Sequence, residues 1–214
     1  MTKENPSGRP DHDVVIVGLG PTGATLANIL GEYGLDVVVL EREASVYPLP
    51  RAVHFDDEAM RVFQSIGLAD AIGRDARVNV GTKFVDSNMD LMLDWSRPQE
   101  IGPLGWHPSY RFHQPDLEAA LNRGIAARSN VTVTRSAEVS EVVDEGSQVR
   151  VGFTQNGEKH SLTAHYVVGA DGARSAVRAA MDSDWEDLGF QERWLVIDVQ
   201  LTKPRPDLGD FTIQ

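Results

Sequence analysis

Three glycines and one glutamate have the spacing of a site that binds the diphosphate and ribose of a nucleotide. Gly18, Gly20 and Gly23 follow an apolar run at 14–17. In such a site the first glycine permits a tight turn, the second lets a pyrophosphate approach the backbone, and the third lets the next helix pack close to the strand. Glu41 follows 18 residues after the last glycine, near the spacing of about 20 at which an acid reaches a ribose hydroxyl.

The elements around these residues complete the pattern. Residues 13–18 and 36–41 are predicted to be strands of a parallel sheet covered on both faces, because both are almost continuous in valine, isoleucine and leucine. A helix predicted over 22–33 offers free N–H groups and a positive dipole end to phosphates. Pro21 and Thr22 lie inside the glycine motif and are counted with it as cofactor-binding residues. A glycine-rich turn that binds nothing would not require the acid at the end of the second strand.

The composition narrows the classes of partner. The chain has 214 residues, a formal net charge of −12 and no cysteine. Such acidity argues against nucleic acid and anionic membranes as partners, and the lack of cysteine suits a reducing cytoplasm. Residues 1–12 lack the apolar core of a signal peptide and are predicted to be a disordered lead-in. No apolar run approaches the roughly 20 residues that span a bilayer.

A second motif follows the apolar run 166–170, which is predicted to be a buried strand. Asp171 and Gly172 come directly after it, where ligands bind at the carboxyl end of strands in an open α/β sheet. Ser175 can cap a short helix, and Arg178 one turn later can tie the loop down. Alone, this pattern is a common turn followed by a helix.

Together, the two motifs resemble the single-component FAD-dependent aromatic hydroxylases over nearly all of residues 12–214. Residues 50–52, with Arg51 at their centre, are similar to the arginine loop that in this family faces the flavin phosphates and the nicotinamide. Residues 112–121 resemble the helix start whose glutamine, here Gln114, contacts FAD. Residues 51–70 are similar to the branch that hydroxylates 3-(3-hydroxyphenyl)propionate and related phenols.

The resemblance implies roles for the residues near the adenosine and the pyrophosphate. Glu41 would bind the adenosine ribose, the alternative being a surface acid. Arg42 would flank the adenosine, unless it is a solvated charge. Arg51 would neutralise the pyrophosphate or receive the nicotinamide, unless it forms a salt bridge within its loop. Such a local cation would offset the repulsion between an acidic chain and an anionic cofactor.

The resemblance also implies roles on the flavin side. Gln114 would hydrogen-bond FAD, the alternative being a helix cap. Asp171 with Gly172 would bind ribose or ribityl hydroxyls, the alternative being an Asx turn. His54 is hypothesised to face the flavin edge. No catalytic residue is assigned, because the implied chemistry needs no Ser/His/Asp nucleophile set and none stands out. No metal ligand is assigned, because the six histidines lack the spacing of a metal-binding HExxH motif.

The reaction implied by the resemblance uses FAD, NADH or NADPH, O2 and a phenol. The nicotinamide reduces FAD, the reduced flavin captures O2, and a flavin hydroperoxide hydroxylates the ring, with the cofactor carrying the hard chemistry. Three alternatives stay open: another flavoenzyme on the same scaffold, such as a geranylgeranyl-type reductase or an amine oxidase; a NAD-binding dehydrogenase; and a non-catalytic nucleotide-binding module. The family's later Gly-Asp motif is missing, since Gly209 and Asp210 are not followed by a helix-forming sequence. The chain is therefore expected to be the N-terminal part of a longer enzyme.

The predicted fold class is α/β, with a Rossmann-like FAD-binding parallel sheet, a small β-meander and part of a second, mostly antiparallel β module. The FAD-binding domain is assigned to 13–75 and 111–181. Part of a substrate-binding domain is assigned to 76–110 and 182–214, which hold all four tryptophans. A homo-oligomer is a further possibility.

The other predicted elements follow from local patterns. They are helices at 56–66 and from Gln114, β-strands at 83–85, 91–93 and 131–134, the meander at 137–163 with turns at Gly146 and Gly157, a helix from Ser175, and an alternating, half-buried strand at 193–202.

Overall fold

The structure, a computed structural model, describes residues 9–48, 51–193 and 201–204 and the backbone of 212–213. The elements in chain order are β1 (His12–Val17), α1 (Pro21–Glu32), β2 (Val37–Glu41), β3 (His54–Asp56), α2 (Asp57–Ser65), α3 (Ala69–Asp75), β4 (Arg77–Val78), β5 (Gly81–Val85), β6 (Leu91–Ser96), β7 (Ser109–Arg111), α4 (Gln114–Ala126), β8 (Val131–Arg135), β9 (Ala137–Asp144), β10 (Val149–Gln155), β11 (Glu158–Gly169), α5 (Ala176–Ala180) and β12 (Thr212–Ile213). None of the helices in these ranges is long and apolar enough to cross a membrane.

A six-stranded sheet in the order β8-β2-β1-β11-β10-β9 forms the centre of the fold. β8, β2, β1 and β11 are parallel to one another, whereas β11, β10 and β9 are antiparallel. β11 belongs to both parts, because its first half pairs with β10 and its second half pairs with β1. The prediction of a parallel sheet with a small meander is confirmed.

Both faces of this sheet are covered, as the apolar sequences of β1 and β2 predicted. Successive side chains of a strand point to opposite faces. Val14 and Ile16 of β1 pack into a core shared with α1 to α4. Val15 and Val17 pack into a second core with β9, β10 and α5. The carboxyl ends of β1 and β2 are therefore held rigidly from both sides.

Two small sheets lie beside the large one. β5 and β6 form an antiparallel pair that β12 extends, and β3, β7 and β4 form another three-stranded sheet. The second of these was not predicted, since its strands have only two or three residues and pair across long stretches of chain. Its Phe55 contacts the rings of Phe63, Tyr110 and Phe112, which packs residues 54–56 against the segment that leads into α4.

The prediction of a separate, buried strand at 166–170 is wrong. Residues 166–169 continue β11, and Tyr166 is 70% exposed. The pairing with β10 ends at Ala164, so beyond that residue β11 is paired with β1 on one side only among the described residues. An apolar run is not sufficient for burial where the neighbouring strand stops.

Smaller differences concern the ends of elements. β1 begins at His12, not at 13, and Asp11 forms hydrogen bonds with Thr163 next to the start of the strand. α3 was not predicted; it is short, and no side chain caps its N-terminus. The strand predicted at 193–202 falls largely on residues 194–200, which lie outside the described residues.

Candidate cofactor site

A cleft of about 310 Å³ lies at the carboxyl ends of the central parallel strands. It brings together both motifs, although they are separated by more than a hundred residues of sequence. Of the predicted cofactor-binding residues, those that line it are Gly18, Gly20, Pro21, Glu41, Arg42, Arg51, Gln114, Asp171 and Gly172. Thr22 and Gly23 do not line the cleft; Thr22 is exposed and Gly23 is buried in the first turn of α1.

The three glycines of the first motif differ in what a side chain at each position would meet. Gly18 has φ of +100°, a conformation that other residues rarely adopt, and a Cβ there would lie 2.4 Å from the carbonyl oxygen of Ala170. A Cβ on Gly23 would lie 2.0 Å from the carbonyl oxygen of Gly18. A Cβ on Gly20 would meet no atom within 4 Å. The turn and helix-packing roles of Gly18 and Gly23 are thus confirmed, and open space lies in front of Gly20.

Glu41 connects the glycine turn with the loop that follows β2. One carboxylate oxygen accepts a hydrogen bond from the Leu19 N–H at 2.6 Å, and the other accepts one from the Glu43 N–H at 2.7 Å. These bonds hold the carboxylate at the cleft in a fixed orientation. An ionised carboxylate accepts about four hydrogen bonds, so both oxygens retain capacity for a ligand hydroxyl.

Asp171 performs the corresponding task for the second motif. Its carboxylate accepts hydrogen bonds from the Ser175 hydroxyl at 2.6 Å and the Ala176 N–H at 2.7 Å. Ser175 in turn accepts from the Arg178 N–H, and the Arg178 guanidinium donates to the Ala173 carbonyl at 2.7 Å. The predicted cap and loop tie are confirmed. The carboxylate thus orders the start of α5 while it lines the cleft.

Gln114 holds the arginine loop, which we define as residues 51–53, against the start of α4. Its side-chain oxygen accepts hydrogen bonds from the N–H groups of Arg51 and Ala52, both at 2.8 Å. Its NH2 group donates to a carboxylate oxygen of Glu118 at 2.7 Å. The alternative role of a helix cap is not found: the N-cap residue is His113, whose side chain makes no capping bond.

Glu118 is a cleft residue that the sequence interpretation missed. The residue lines the cleft, yet only 6% of it is exposed. The available signal was its position one helical turn after Gln114, where side chains at i and i+4 face the same way. Acidic residues are seldom buried without a partner, so a buried acid next to a cleft indicates a specific task.

Four arginines line the cleft together with five acidic residues, which are Glu41, Glu43, Glu118, Glu138 and Asp171. Arg135 and Arg174 line it in addition to Arg42 and Arg51, and neither was assigned to the site from the sequence. The Arg42 guanidinium lies 3.3 Å from a carboxylate oxygen of Glu43, and that of Arg51 lies 4.5 Å from the centre of the Tyr47 ring. Exposed pairs of this kind are weak, so these guanidinium groups can turn towards an anion.

His54 lies away from the cleft lining. Its Nε2 is 2.7 Å from the hydroxyl oxygen of Ser109, which also accepts a hydrogen bond from the amide of Asn79. Ser109 and Asn79 are both buried. Partial burial lowers the pKa of His54, Arg97 lowers it further, and Asp56 acts in the opposite direction. The structure does not bring this histidine among the residues that line the cofactor cleft.

Replacing His54 by glutamine is expected to reduce the pH dependence of stability. Because the native pKa lies below the ordinary value of 6.5, the unfolded chain takes up the proton more readily. The free energy of unfolding therefore falls as the pH drops below about 6.5 towards the native pKa. Urea unfolding between about pH 7.5 and about pH 5 should show a shallower pH slope for the variant. An NMR titration of the His54 ring with a midpoint above the ordinary value would contradict this account.

Comparison with known proteins shows the family to which this chain belongs. The sequence matches the family described as FAD binding domain over residues 11–211. The chain therefore belongs to the FAD-binding domain family. The resemblance that the glycine fingerprint and the Asp171 motif indicated is confirmed, and so is FAD as the cofactor of the family.

Proteins named as aromatic hydroxylases are among those similar to this chain. A probable NADH-specific resorcinol 4-hydroxylase of Rhodococcus jostii (strain RHA1) is 41% identical over 96% of this chain and 39% of its own length. A 3-(3-hydroxy-phenyl)propionate/3-hydroxycinnamic acid hydroxylase of Mycobacterium sp. (strain JLS) is 38% identical over 98% of this chain and 37% of its own length. The crystal structure of p-nitrophenol 4-monooxygenase PnpA from Pseudomonas putida DLL-E4 superposes with a TM-score of 0.74 and 28% identity, covering 80% of this chain and 43% of PnpA. The chain thus spans about two fifths of the length of these relatives.

Proposed function

We propose that this chain supplies the FAD-binding part of a monooxygenase that hydroxylates a phenolic ring with NADH or NADPH and O2. One observation carries the proposal: two motifs, the arginine loop and Gln114 meet in a single cleft at the carboxyl ends of β1, β2 and β11. Ligands of open α/β sheets bind at this edge. A cytoplasmic location belongs to the proposal and is supported by the absence of cysteine.

The chemistry of the cleft suits a dinucleotide with a pyrophosphate at its centre. The N-terminus of α1 carries no acidic residue in its first turn, so its N–H groups and positive dipole end are available to phosphate oxygens. The space in front of Gly20 allows that approach. Each motif also provides a carboxylate, Glu41 or Asp171, that can accept hydrogen bonds from ligand hydroxyl groups.

Each residue of the site then receives a role in binding. Glu41 accepts a hydrogen bond from an adenosine ribose hydroxyl, and Arg42 lies beside the adenosine. Arg51 neutralises the pyrophosphate or receives the nicotinamide. Asp171 and Gly172 contact hydroxyls on the flavin side. Gln114 already uses its oxygen for two N–H groups, so it meets the cofactor as a donor.

FAD, when bound, supplies the redox and oxygen chemistry, while the chain's own residues bind and orient it. A phenol as substrate is supported by the names of the relatives, which include hydroxylases of resorcinol and of 3-(3-hydroxyphenyl)propionate. The sheet formed by β5, β6 and β12 is proposed to belong to the substrate-binding module, with 76–110 and 182–214 as its contribution from this chain. The exposed side chains of Leu91, Leu93 and Trp95 give this sheet apolar surface against which further structure can pack.

The activity is tested by following NADH and NADPH oxidation in the protein that carries this chain, with and without phenols. Resorcinol and 3-(3-hydroxyphenyl)propionate are the first substrates to compare. Oxidation that a phenol accelerates, with O2 consumption and a hydroxylated product, is the expected result. Oxidation that no phenol accelerates would instead favour another flavoenzyme on the same scaffold.

A further inference from the structure

A buried carboxylate lies behind the arginine loop. Glu118 is on α4, one turn after Gln114, and only 6% of it is exposed. Its Oε1 accepts a hydrogen bond of 2.7 Å from the Gln114 amide. Burying an acid is costly unless it is well bonded. Its position next to the Gln114 amide indicates that it serves to hold that side chain in place.

The orientation of the Gln114 amide follows from its neighbours. The N–H groups of Arg51 and Ala52 both point at the same side-chain atom of Gln114, so that atom must be an acceptor, the oxygen. The NH2 group then faces Glu118, which as a carboxylate only accepts. Glu118 thus accepts a hydrogen bond from the NH2 group in the orientation that the loop requires.

The arginine loop depends on this bond because it has few other anchors. The Phe112 N–H donates to the Val53 carbonyl at 3.1 Å, and the Arg51 guanidinium contacts the exposed ring of Tyr47. Only Gln114 holds the main chain at both Arg51 and Ala52 among the described contacts. Movement of Gln114 would therefore release the residues at the mouth of the cleft.

We propose that Glu118 is a positioning residue that holds the Gln114 amide and, through it, fixes the arginine loop at the cofactor cleft. Glu118 acts through Gln114 on the backbone of Arg51. The consequence for FAD rests on the proposed function, since it assumes that Arg51 meets the cofactor. The effect on the loop itself does not depend on that assumption.

The loop can be followed in the 214-residue chain without cofactor. Trypsin cleaves after arginine, so the rate of cleavage after Arg51 reports how often the loop opens, and amide exchange of Arg51 and Ala52 reports the two hydrogen bonds directly. Glu118→Leu should accelerate both roughly tenfold, the factor expected for losing one hydrogen bond to a charged group. Glu118→Gln keeps a carbonyl oxygen as acceptor and should stay within about threefold of the wild type.

Glu138 offers a matched control. It lines the same cleft and is exposed, and the Gln114 amide donates to Glu118 instead of Glu138 in the described part of the chain. Glu138→Gln removes the same charge and should leave cleavage and exchange of the loop unchanged. Unchanged rates in Glu118→Leu, or equal acceleration in Glu138→Gln, would overturn the proposal.

Exchange of the buried Val15 amide in β1 separates loop opening from global unfolding. If fast exchange of the Val15 amide shows that Glu118→Leu is unfolded, the proposal is tested with Glu118→Asp instead. This variant keeps the charge but draws the carboxylate away from Gln114. Faster loop exchange in Glu118→Asp supports the proposal, and wild-type exchange overturns it. FAD titration of the same variants measures how the loop affects cofactor affinity. A wild type that binds no FAD would refute the proposed function and leave the loop result intact.

Discussion

Gly23→Ala is expected to lower the free energy of unfolding by on the order of 3 kcal/mol, because forcing a methyl group into a filled site moves the surrounding backbone. The added Cβ would lie 2.0 Å from the Gly18 carbonyl oxygen. Because this oxygen belongs to the backbone, no side-chain rotation can relieve the clash. α1 must then shift away from β1, and with it the N–H groups that are proposed to bind the phosphates. FAD affinity should fall by roughly 100-fold, since a shift of about 1 Å can cost that much at a positioned group. Urea unfolding and FAD fluorescence titration measure the two effects.

Gly20→Ala is the matched control for this prediction. Gly20 has φ of −70° and ψ of −176°, a conformation that alanine adopts, and its Cβ would meet no protein atom within 4 Å. Stability should therefore change by less than about 0.5 kcal/mol, while FAD affinity falls because the methyl group occupies the pyrophosphate approach. Wild-type stability in Gly23→Ala would refute the packing role. Wild-type FAD affinity in Gly20→Ala would refute the close approach.

Glu41→Ala is expected to weaken FAD binding by about 10- to 100-fold, the equivalent of one hydrogen bond between a ribose hydroxyl and a charged group. The substitution also leaves the N–H groups of Leu19 and Glu43 without their present acceptor. Part of the loss therefore comes from a less ordered glycine turn. Isothermal titration calorimetry with FAD measures the affinity, and urea unfolding measures the cost to the fold.

Two variants separate the role of Glu41 from a general loss of negative charge. Glu41→Gln keeps a carbonyl oxygen at the same place and should bind FAD better than Glu41→Ala. Glu43→Ala removes an exposed acid that forms a surface ion pair with Arg42, and it should change the affinity little. An affinity of Glu41→Ala equal to that of the wild type would remove Glu41 from the site.

The parts of the fold that could be predicted have strong local signals. The glycine spacing between two apolar runs gave β1, α1 and β2 to within one residue at each end. Pro115 and Asp116 marked the first turn of α4, where proline and acids are favoured. These signals lie within a few residues of the feature they determine, so no tertiary information was needed.

The features that were missed depend on contacts between distant segments. The hydrogen bonds from Arg51 and Ala52 to Gln114 join residues about 60 positions apart, and the sequence did not predict them. The exposure of Tyr166 depends on where β10 ends, not on the composition of β11. Arg135 joins the cleft only because β8 lies beside β2. Local patterns cannot supply such neighbours.

FAD titration of the purified 214-residue chain, with NAD titrated in parallel, tests the central claim most directly. The cleft is expected to bind FAD saturably, with a change in flavin fluorescence and absorbance, and to bind no NAD. Binding of NAD without FAD would contradict the account and would assign the cleft to a dehydrogenase.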